Sequence, residues 1–133
     1  MVQKPSAVVV LVSDSERRVL AVSRKGNLAD LGLPGGKVDP SDADPLAATC
    51  REFWEEIGVR VQPEELEFVY ERTDPASGLV AWCYALKASA LKEPPRAVEP
   101  NTWVGWVTPE RLLEPTNLFH QYNRGLFEHL EWL

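Results

Sequence analysis

Apolar residues in this chain cluster in short runs separated by polar turn residues, a pattern typical of β-strands. The longest apolar run, 7–12, is strand-sized and far too short to cross a membrane. The predicted strands are 6–12, 18–24, 64–73, 78–88 and 102–107. We expect the first two to form a hairpin and the next two to pair across the turn 74–78, with loops at 25–32 and 89–100.

Two segments show the 3.6-residue spacing of amphipathic helices instead. The first starts after Asp44, a suitable N-cap, and ends at Gly58, which suits the left-handed position that follows a helix. Its apolar stripe is Leu46, Cys50, Phe53, Trp54 and Ile57. A short helix is expected after Pro109. The final helix, about 117–131, would bury Phe119, Tyr122, Leu126 and Leu130. This order of strands and helices predicts an α/β fold with a mixed β-sheet between helices.

The polar side of the first helix carries three carboxylates. Glu52, Glu55 and Glu56 converge because positions i, i+3 and i+4 are neighbours on a helix. Like charges at this spacing repel, and the helix dipole disfavours negative charge near the C-terminus. A divalent cation with oxygen ligands would convert that repulsion into a binding site. The alternative is an ordinary solvated acidic face.

The sequence before this helix favours the metal site. The relevant residues follow the order Gly36-x5-Asp42-x8-Arg51-Glu52-Phe53-x-Glu55-Glu56-x-Gly58-Val59. This order closely resembles the Nudix box, G-x5-E-x7-R-E-U-x-E-E-x-G-U, in which U is apolar. Asp42 replaces the first glutamate of the box, and the loop from there to Arg51 is one residue longer. Both departures precede the helix and should leave the spacing of the glutamates unchanged.

The resemblance implies a Nudix hydrolase, with the family's α/β/α sandwich, that cleaves a nucleoside diphosphate linked to another moiety. It implies Mg²⁺ as the cofactor, with Mn²⁺ as a substitute, and an attacking water. The implied metal ligands are Glu52, Glu55, Glu56 and the Gly35 carbonyl. Glu52 or Glu56 would orient or deprotonate the water, and Lys37 would lie beside the phosphates. Gly36, Asp42, Arg51 and Gly58 would support the motif.

Three residues outside the box are candidates by the same resemblance. Arg24, beside Lys25 at the end of the second predicted strand, would bind a substrate phosphate or else be a solvated strand end. Glu99 lies in a Glu-Pro segment that resembles the one supplying an additional metal ligand in MutT-type members. Asn117 lies in a Pro-x-Asn setting that resembles their purine-binding asparagine, although asparagine is equally suited to cap the final helix.

Composition narrows the remaining choices. A length of 133 residues predicts one domain, 1–133, and the formal net charge of −6 disfavours a general nucleic-acid binder. We find no membrane span, and residues 1–5 do not read as a signal peptide. Cys50 and Cys83 occupy core-like positions and are expected to stay reduced in a cytoplasm. The expected partner is a small nucleotide substrate, and a homodimer is compatible with the family.

Three functional hypotheses follow. The first is a MutT-type enzyme that converts a nucleoside triphosphate to the monophosphate and pyrophosphate. The second is a pyrophosphatase acting on ADP-ribose or another nucleoside-diphosphate derivative, for which Pro75, sixteen residues beyond the box, is weak support because a hairpin turn also explains it. The third is a Nudix-fold nucleotide-binding module without catalysis. The retained glutamate trio argues against the third, because it costs helix stability.

Overall fold

The computed structural model of the protein describes residues 6–133. The segment 1–5, where the sequence predicts no signal peptide, lies outside these residues. The strands are β1 (Ser6–Ser13), β2 (Val19–Arg24), β3 (Asn27–Gly32), β4 (Gly35–Lys37), β5 (Glu67–Thr73), β6 (Val80–Lys87) and β7 (Val104–Val107). The α-helices are α1 (Pro45–Ile57) and α2 (His120–His129), and 3₁₀ turns lie at Pro63–Glu65, Ala88–Ala90 and Pro109–Leu113.

Within the described range the strands form one mixed sheet. Its order is β3-β2-β1-β6-β5, with β4 paired to β1 and β7 paired to β2. The central β1 and β6 run parallel along their whole length, from the pair Ser6–Val80 to the pair Ser13–Lys87, whereas the other pairings are antiparallel. The predicted β5–β6 hairpin across the turn 74–78 is confirmed.

The hairpin predicted for β1 and β2 forms only at its base. The two strands share the single pair Ser13–Val19. Residues 7–9 of β1 instead pair with β4, and the Val10 amide donates to the Pro34 carbonyl oxygen at 2.8 Å. Because β4 occupies that edge of β1, β2 turns away and pairs with β3 and β7. After β3 the chain returns to the edge of β1, where the diglycine of β4 pairs with it.

The helices cover opposite faces of the sheet, as predicted. Alternate residues of β1 point to the two sides. Val10 and Val12 join the core cluster that contains Phe53 of α1, whereas Leu11 joins the cluster that contains Leu126 of α2. Both cysteines are free thiols.

The ends of α1 are those that the sequence predicts. The Asp44 carboxylate accepts a hydrogen bond from the Ala47 amide at 2.7 Å, and Gly58 adopts a left-handed φ of 74°. The prediction that Trp54 belongs to the buried stripe is wrong, since its side chain is 39% exposed. Consecutive helical positions differ in direction by about 100°, so Phe53 takes the core position and Trp54 lies beside it. The Arg60 guanidinium covers the Trp54 ring at 4.1 Å.

Two further expectations need correction. Residues 25–32 are not a loop throughout, because 27–32 form β3 after a tight turn at Gly26, whose φ is 78°. The pairing of β3 with β2 overrides the weak strand propensity of its asparagine, aspartate and glycine. The final helix begins at His120 rather than 117, because residues 117–120 form turns with bonds from residue i to i−3 and the first helical bond runs from the Asn123 amide to the Phe119 carbonyl oxygen at 3.0 Å.

The burial of the final helix also differs in part from the prediction. Tyr122 and Leu126 are buried as expected, whereas Phe119 and Leu130 are only partly buried and Phe127 is fully buried. None of the helices within 6–133 has the length and apolarity required to cross a membrane.

Replacing Asp44 with Ala should lower the free energy of unfolding by about 1 kcal/mol, because the Ala47 amide loses its partner at the start of α1. Asp44→Asn keeps an oxygen acceptor at the same position and should lower the free energy of unfolding by only about a few tenths of 1 kcal/mol. Urea unfolding monitored by circular dichroism measures both variants. Equal stability of Asp44→Ala and the wild type would contradict the capping role.

Candidate active site

The diglycine of β4 lies between strand β1 and the glutamates of α1. A Cβ atom on Gly35 would overlap the Val8 carbonyl oxygen of β1, and one on Gly36 would overlap the Glu52 carboxylate. At Gly35 the overlap is with backbone, so only glycine allows β4 to pair with β1 there, whereas a side chain at Gly36 would displace the Glu52 carboxylate. This close approach brings the backbone of β4 within hydrogen-bonding distance of the helix side chains.

Arg51 connects the acidic groups around β4. Its guanidinium donates to both carboxylate oxygens of Asp42, at 2.9 and 2.8 Å. It also donates to Glu52 at 3.0 Å and Glu55 at 3.1 Å, and to the Lys37 carbonyl oxygen at 3.2 Å. The guanidinium lowers the pKa of Asp42, and that carboxylate is the largest cause of a raised pKa for Arg51.

This geometry explains the departure of the motif at Asp42. The loop before α1 is one residue longer than in the Nudix box, and the shorter aspartate side chain still reaches Arg51 in a two-point ion pair. Residue Asp42 is partly buried, and only 6% of its side chain is exposed. It therefore orients Arg51, which in turn holds Glu52 and Glu55.

Glu56 is the most strongly perturbed acid of the site. Its pKa is raised from an ordinary 4.5 to about 8, mainly by burial and also by the neighbouring charges of Glu52, Glu99 and Glu55, whereas the hydrogen bond from the Gly35 amide lowers it. That amide donates to Glu56 Oε1 at 2.6 Å. Burial also raises the pKa of Glu52. Carboxyl groups that are costly to ionise in one place favour a bound cation or proton.

The donor set fits a hard divalent cation in chemistry. Glu52, Glu55 and Glu56 offer oxygen ligands only, which Mg²⁺ prefers, and an added cation would relieve the repulsion that raises the pKa of Glu56. Within residues 6–133, no three His, Cys, Asp or Glu side chains are already arranged around a common point. The ion pairs of Arg51 with Glu52 and Glu55 explain this, because they direct both carboxylates to the guanidinium.

A strap of residues 96–99 brings Glu99 to the same site. The Arg96 amide donates to the Ile57 carbonyl oxygen at 3.0 Å, and the Val98 amide donates to that of Glu56 at 3.2 Å. These bonds satisfy carbonyl groups at the C-terminal end of α1 that have no partner within the helix. They also bring Glu99 close enough to Glu56 for its charge to raise the pKa of that group.

A cavity of about 520 Å³ adjoins the acidic groups. Its charged lining residues include Arg24, Lys25, Lys37, Glu56 and Glu99. Its apolar lining comes from β1, β6 and the segments just before β4, β6 and α2, and includes Val9, Leu33, Leu79, Ala81 and Phe119. The Arg24 guanidinium lies 5.8 Å from the centre of the Phe119 ring and 3.8 Å from the Asp30 carboxylate. A volume of this size is typical of small-molecule sites.

Asn117 does not line this cavity. Its carboxamide oxygen accepts from the Leu31 amide at 2.9 Å, and its nitrogen donates to the Arg111 carbonyl oxygen at 2.8 Å. The side chain is fully buried, and it ties β3 to the 3₁₀ turn before α2. Neither of the two roles weighed for Asn117, a base contact or a cap of the final helix, receives support from this arrangement.

The cavity contains polar residues that the sequence analysis missed. Tyr122 and Asn123 both line it from α2, although Tyr122 was expected only in the core. The sequence holds a signal for Asn123, because it lies four residues from both Phe119 and Phe127 and is therefore a polar residue on the inward face of the helix.

The stability of the metal-free protein should fall with pH through Glu56. The pKa of Glu56 is about 8 in the folded state and has its ordinary value of 4.5 in the unfolded state. Between these values the folded state holds more protons, so the free energy of unfolding decreases as the pH rises from 4.5 to 8. The loss is at most about 5 kcal/mol, since one pKa unit corresponds to about 1.4 kcal/mol.

Urea unfolding in a chelator across this pH range tests the expectation. Glu56→Gln has no titratable group at the position, so the difference in stability between the wild type and this variant isolates its contribution. The variant should gain stability relative to the wild type as the pH rises. A difference independent of pH would rule out a raised pKa for Glu56.

Comparison with known proteins agrees with this geometry. A family model described as NUDIX domain matches residues 3–130. A MutT-like protein of Streptomyces ambofaciens is 36% identical over 108 residues, 81% of this chain and 66% of the relative. A CMP-5'-(N-acetyl-N-hydroxy-3-aminopropyl)phosphonate hydrolase of Streptomyces rubellomurinus is 34% identical over 82 residues, 59% of this chain and 38% of the relative. The chain thus spans less than two thirds of either relative's length.

Solved structures show the same architecture. A MutT NUDIX hydrolase from Burkholderia pseudomallei superposes with a TM-score of 0.69 at 28% identity, over 94% of this chain and 98% of that one. NUDIX family members are pyrophosphate-bond hydrolases that generally use divalent metal ions and small nucleotide substrates. The predicted fold is confirmed, and the predicted enzyme class is confirmed at the level of the family. The chain belongs to the NUDIX domain family.

Proposed function

We propose that this chain is a Mg²⁺-dependent hydrolase that cleaves a pyrophosphate bond of a nucleoside triphosphate and releases the monophosphate and pyrophosphate. One observation carries the proposal: the acidic face of α1 meets a nucleotide-sized cavity at Glu56, and Arg24, Lys25 and Lys37 line that same cavity. Acidic groups for a cation and basic groups for phosphates thus lie side by side.

The metal would be held by oxygen atoms from three parts of the chain. The proposed ligands are Glu52, Glu55 and Glu56 of α1, the Gly35 carbonyl of β4 and Glu99 of the strap 96–99. When bound, the ion supplies neutralisation of phosphate charge and a water of lowered pKa. Arg51 holds Glu52 and Glu55 in ion pairs, so both carboxylates would have to turn from its guanidinium toward the ion when it binds.

Glu56 or Glu52 would act as the general base. The Gly35 amide fixes Glu56 through Oε1, so Oε2 is the atom that remains to orient a water. Burial raises the pKa of Glu56 in the metal-free protein, and a cation bound beside it would lower that pKa and favour the carboxylate form that a base requires. Glu52 has the same raised direction of pKa, and both carboxylates belong to the proposed catalytic pair.

The basic and apolar parts of the cavity would divide the substrate between them. Lys37, next to the diglycine, and Arg24, at the end of β2, would bind phosphate oxygens. Phe119, whose ring faces Arg24, and the apolar residues of β1 and β6 would take the nucleoside. Stacking and apolar contact are the usual means by which a protein holds a base.

A nucleotide-linked compound is the second candidate substrate. The relative from Streptomyces rubellomurinus is named as a hydrolase of a CMP-linked phosphonate, so a leaving group other than pyrophosphate is compatible with this family. The same catalytic residues would serve, because both substrates would present a phosphate to the same metal ligands.

The homodimer that is compatible with the family remains a prediction.

A panel assay tests the proposal. Ordinary and oxidised nucleoside triphosphates, ADP-ribose, dinucleoside polyphosphates and a CMP-linked compound are incubated with Mg²⁺, and phosphate and pyrophosphate release are measured with and without a chelator. We expect rapid metal-dependent turnover of triphosphates with pyrophosphate as a product. Turnover confined to linked compounds would instead identify the second candidate. Saturable nucleotide binding without any turnover would overturn the hydrolase proposal in favour of a binding module.

Replacing Glu55 or Glu56 with Gln should reduce Mg²⁺-dependent hydrolysis by at least about 100-fold. The fold should persist, because neither side chain belongs to a core cluster. Glu64→Gln is the matched control, since Glu64 is an exposed glutamate outside the site, and it should retain full activity. Full activity of Glu55→Gln or Glu56→Gln would refute the metal assignment of that residue.

A further inference from the structure

Asp30 of β3 lies behind the part of the cavity wall that carries Arg24. Its side chain is only 12% exposed, and it does not itself line the cavity. Buried carboxylates are normally paired or hydrogen-bonded. The partners of this one are the Leu118 amide and the Arg24 guanidinium, and both of those residues line the cavity. Asp30 therefore connects two parts of the wall that are distant in sequence.

The segment before α2 fixes the carboxylate of Asp30. Its Oδ1 atom accepts a hydrogen bond from the Leu118 amide at 2.9 Å. Backbone groups of both sequence neighbours of Asp30 are bound to the same part of the chain, by the side chains of Arg111 at 2.8 Å and Asn117 at 2.9 Å. Three consecutive residues of β3 are thus tied to one segment, which leaves the carboxylate little freedom to turn.

The other oxygen of this carboxylate faces Arg24. Its Oδ2 atom lies 3.8 Å from Arg24 Nε, an ion pair that is longer than a hydrogen bond. The Arg24 guanidinium makes no hydrogen bond within residues 6–133, and it is held by this ion pair and by the face of the Phe119 ring at 5.8 Å. All five of its N–H donors therefore remain for an anion in the cavity.

The same anchor places the Phe119 ring. Phe119 directly follows Leu118, whose amide is bound to Asp30. A Cβ atom on Gly32, two residues after Asp30, would lie 3.6 Å from the ring, in ordinary van der Waals contact. The guanidinium and the aromatic ring that face each other in the cavity thus both depend on Asp30.

From this geometry we infer that Asp30 is a positioning residue, which holds the Arg24 guanidinium ready for a substrate phosphate without touching the substrate. The inference rests on the proposed function, which assigns a phosphate contact to Arg24. An arginine side chain has many rotamers, and ordering it on binding costs conformational entropy. A guanidinium that is already held in place loses less of that entropy when a phosphate binds.

A purely structural role for Asp30 predicts a different result. Such a role needs only the acceptor oxygen that the Leu118 amide uses, and an asparagine side chain provides that oxygen as well. Removing the charge alone would then leave nucleotide binding unchanged, or strengthen it because a negative charge near the phosphates is lost. The positioning role predicts instead that binding weakens, and only while Arg24 is present.

Nucleotide binding in the presence of a chelator tests the inference without catalysis. Isothermal titration calorimetry identifies the tightest ligand of the wild type among ATP, GTP, CTP and UTP, and compares its affinity with that for Asp30→Asn. We expect the variant to bind about 3- to 10-fold more weakly, a modest factor because solvent screens the half-exposed Arg24. Unchanged or tighter binding, or no binding of any of the four to the wild type, would overturn the inference.

Two further comparisons assign the effect to the ion pair. In an Arg24→Ala background, Asp30→Asn should change the affinity by less than about twofold, because the group that it positions is gone. The full effect in that background would refute the role. Asp14→Asn is the matched control, since Asp14 also accepts backbone amides and pairs with an arginine, Arg18, outside the cavity. It should leave the affinity unchanged.

A measurement on the wild type keeps the inference testable if Asp30→Asn does not fold. Nuclear magnetic resonance relaxation of the Arg24 Nε–H group, without nucleotide, reports how far the guanidinium is ordered. A positioned guanidinium should give an order parameter above about 0.6, and a value below this would show that it is flexible and refute the positioning.

The two proposals fail in different ways. If the protein hydrolyses the nucleotide, Asp30→Asn should raise KM and change kcat by less than about twofold. Hydrolysis with an unchanged KM would overturn this inference alone. Weaker binding by Asp30→Asn that depends on Arg24, without hydrolysis of any nucleotide, would leave this inference standing and overturn the proposed function.

Discussion

The site depends on the placement of Arg51. One guanidinium is bound to the loop before α1 through Asp42, to β4 through the Lys37 carbonyl and to two glutamates of its own helix. These carboxylates would otherwise repel one another at helical spacing. Arg51 thus allows an acidic helix face to pack against a strand. It lies at the edge of the site, since none of its hydrogen bonds is to Glu56.

Glu56 links the site to the sheet. Its carboxylate accepts a hydrogen bond from the Gly35 amide. Gly35 belongs to β4, the strand that takes the place of β2 at the edge of β1. The backbone of Glu56 also receives the strap 96–99 through Val98. A single helical residue therefore orders β4 on one side and Glu99 on the other. The raised pKa of Glu56 is the cost of that central, buried position.

Local signals were sufficient to predict α1 and the acidic site, whereas contacts distant in sequence were not. Asp44 and Gly58 set the ends of α1 through bonds within a few residues, and the glutamates follow from helical spacing. The parallel pairing of β1 with β6 joins residues more than seventy positions apart, and no local pattern encodes it. Likewise the strand 27–32 exists because β2 offers it a partner. Asn117 and Asn123 are both asparagines near α2, and only the fold shows which one meets the cavity.

The effect of the net charge on nucleotide binding depends on where the charged residues lie in the fold. A protein with a net charge of −6 should repel an anionic nucleotide at long range. The cavity counters this locally, because Arg24, Lys25 and Lys37 line it and because the raised pKa of Glu56, about 8, disfavours the negative charge of that group in the metal-free protein. Tyr122 and Asn123 add polar groups without formal charge to the same cavity. Under the proposed function, Arg24, Lys25 and Lys37 would therefore attract the phosphates locally in spite of the net charge.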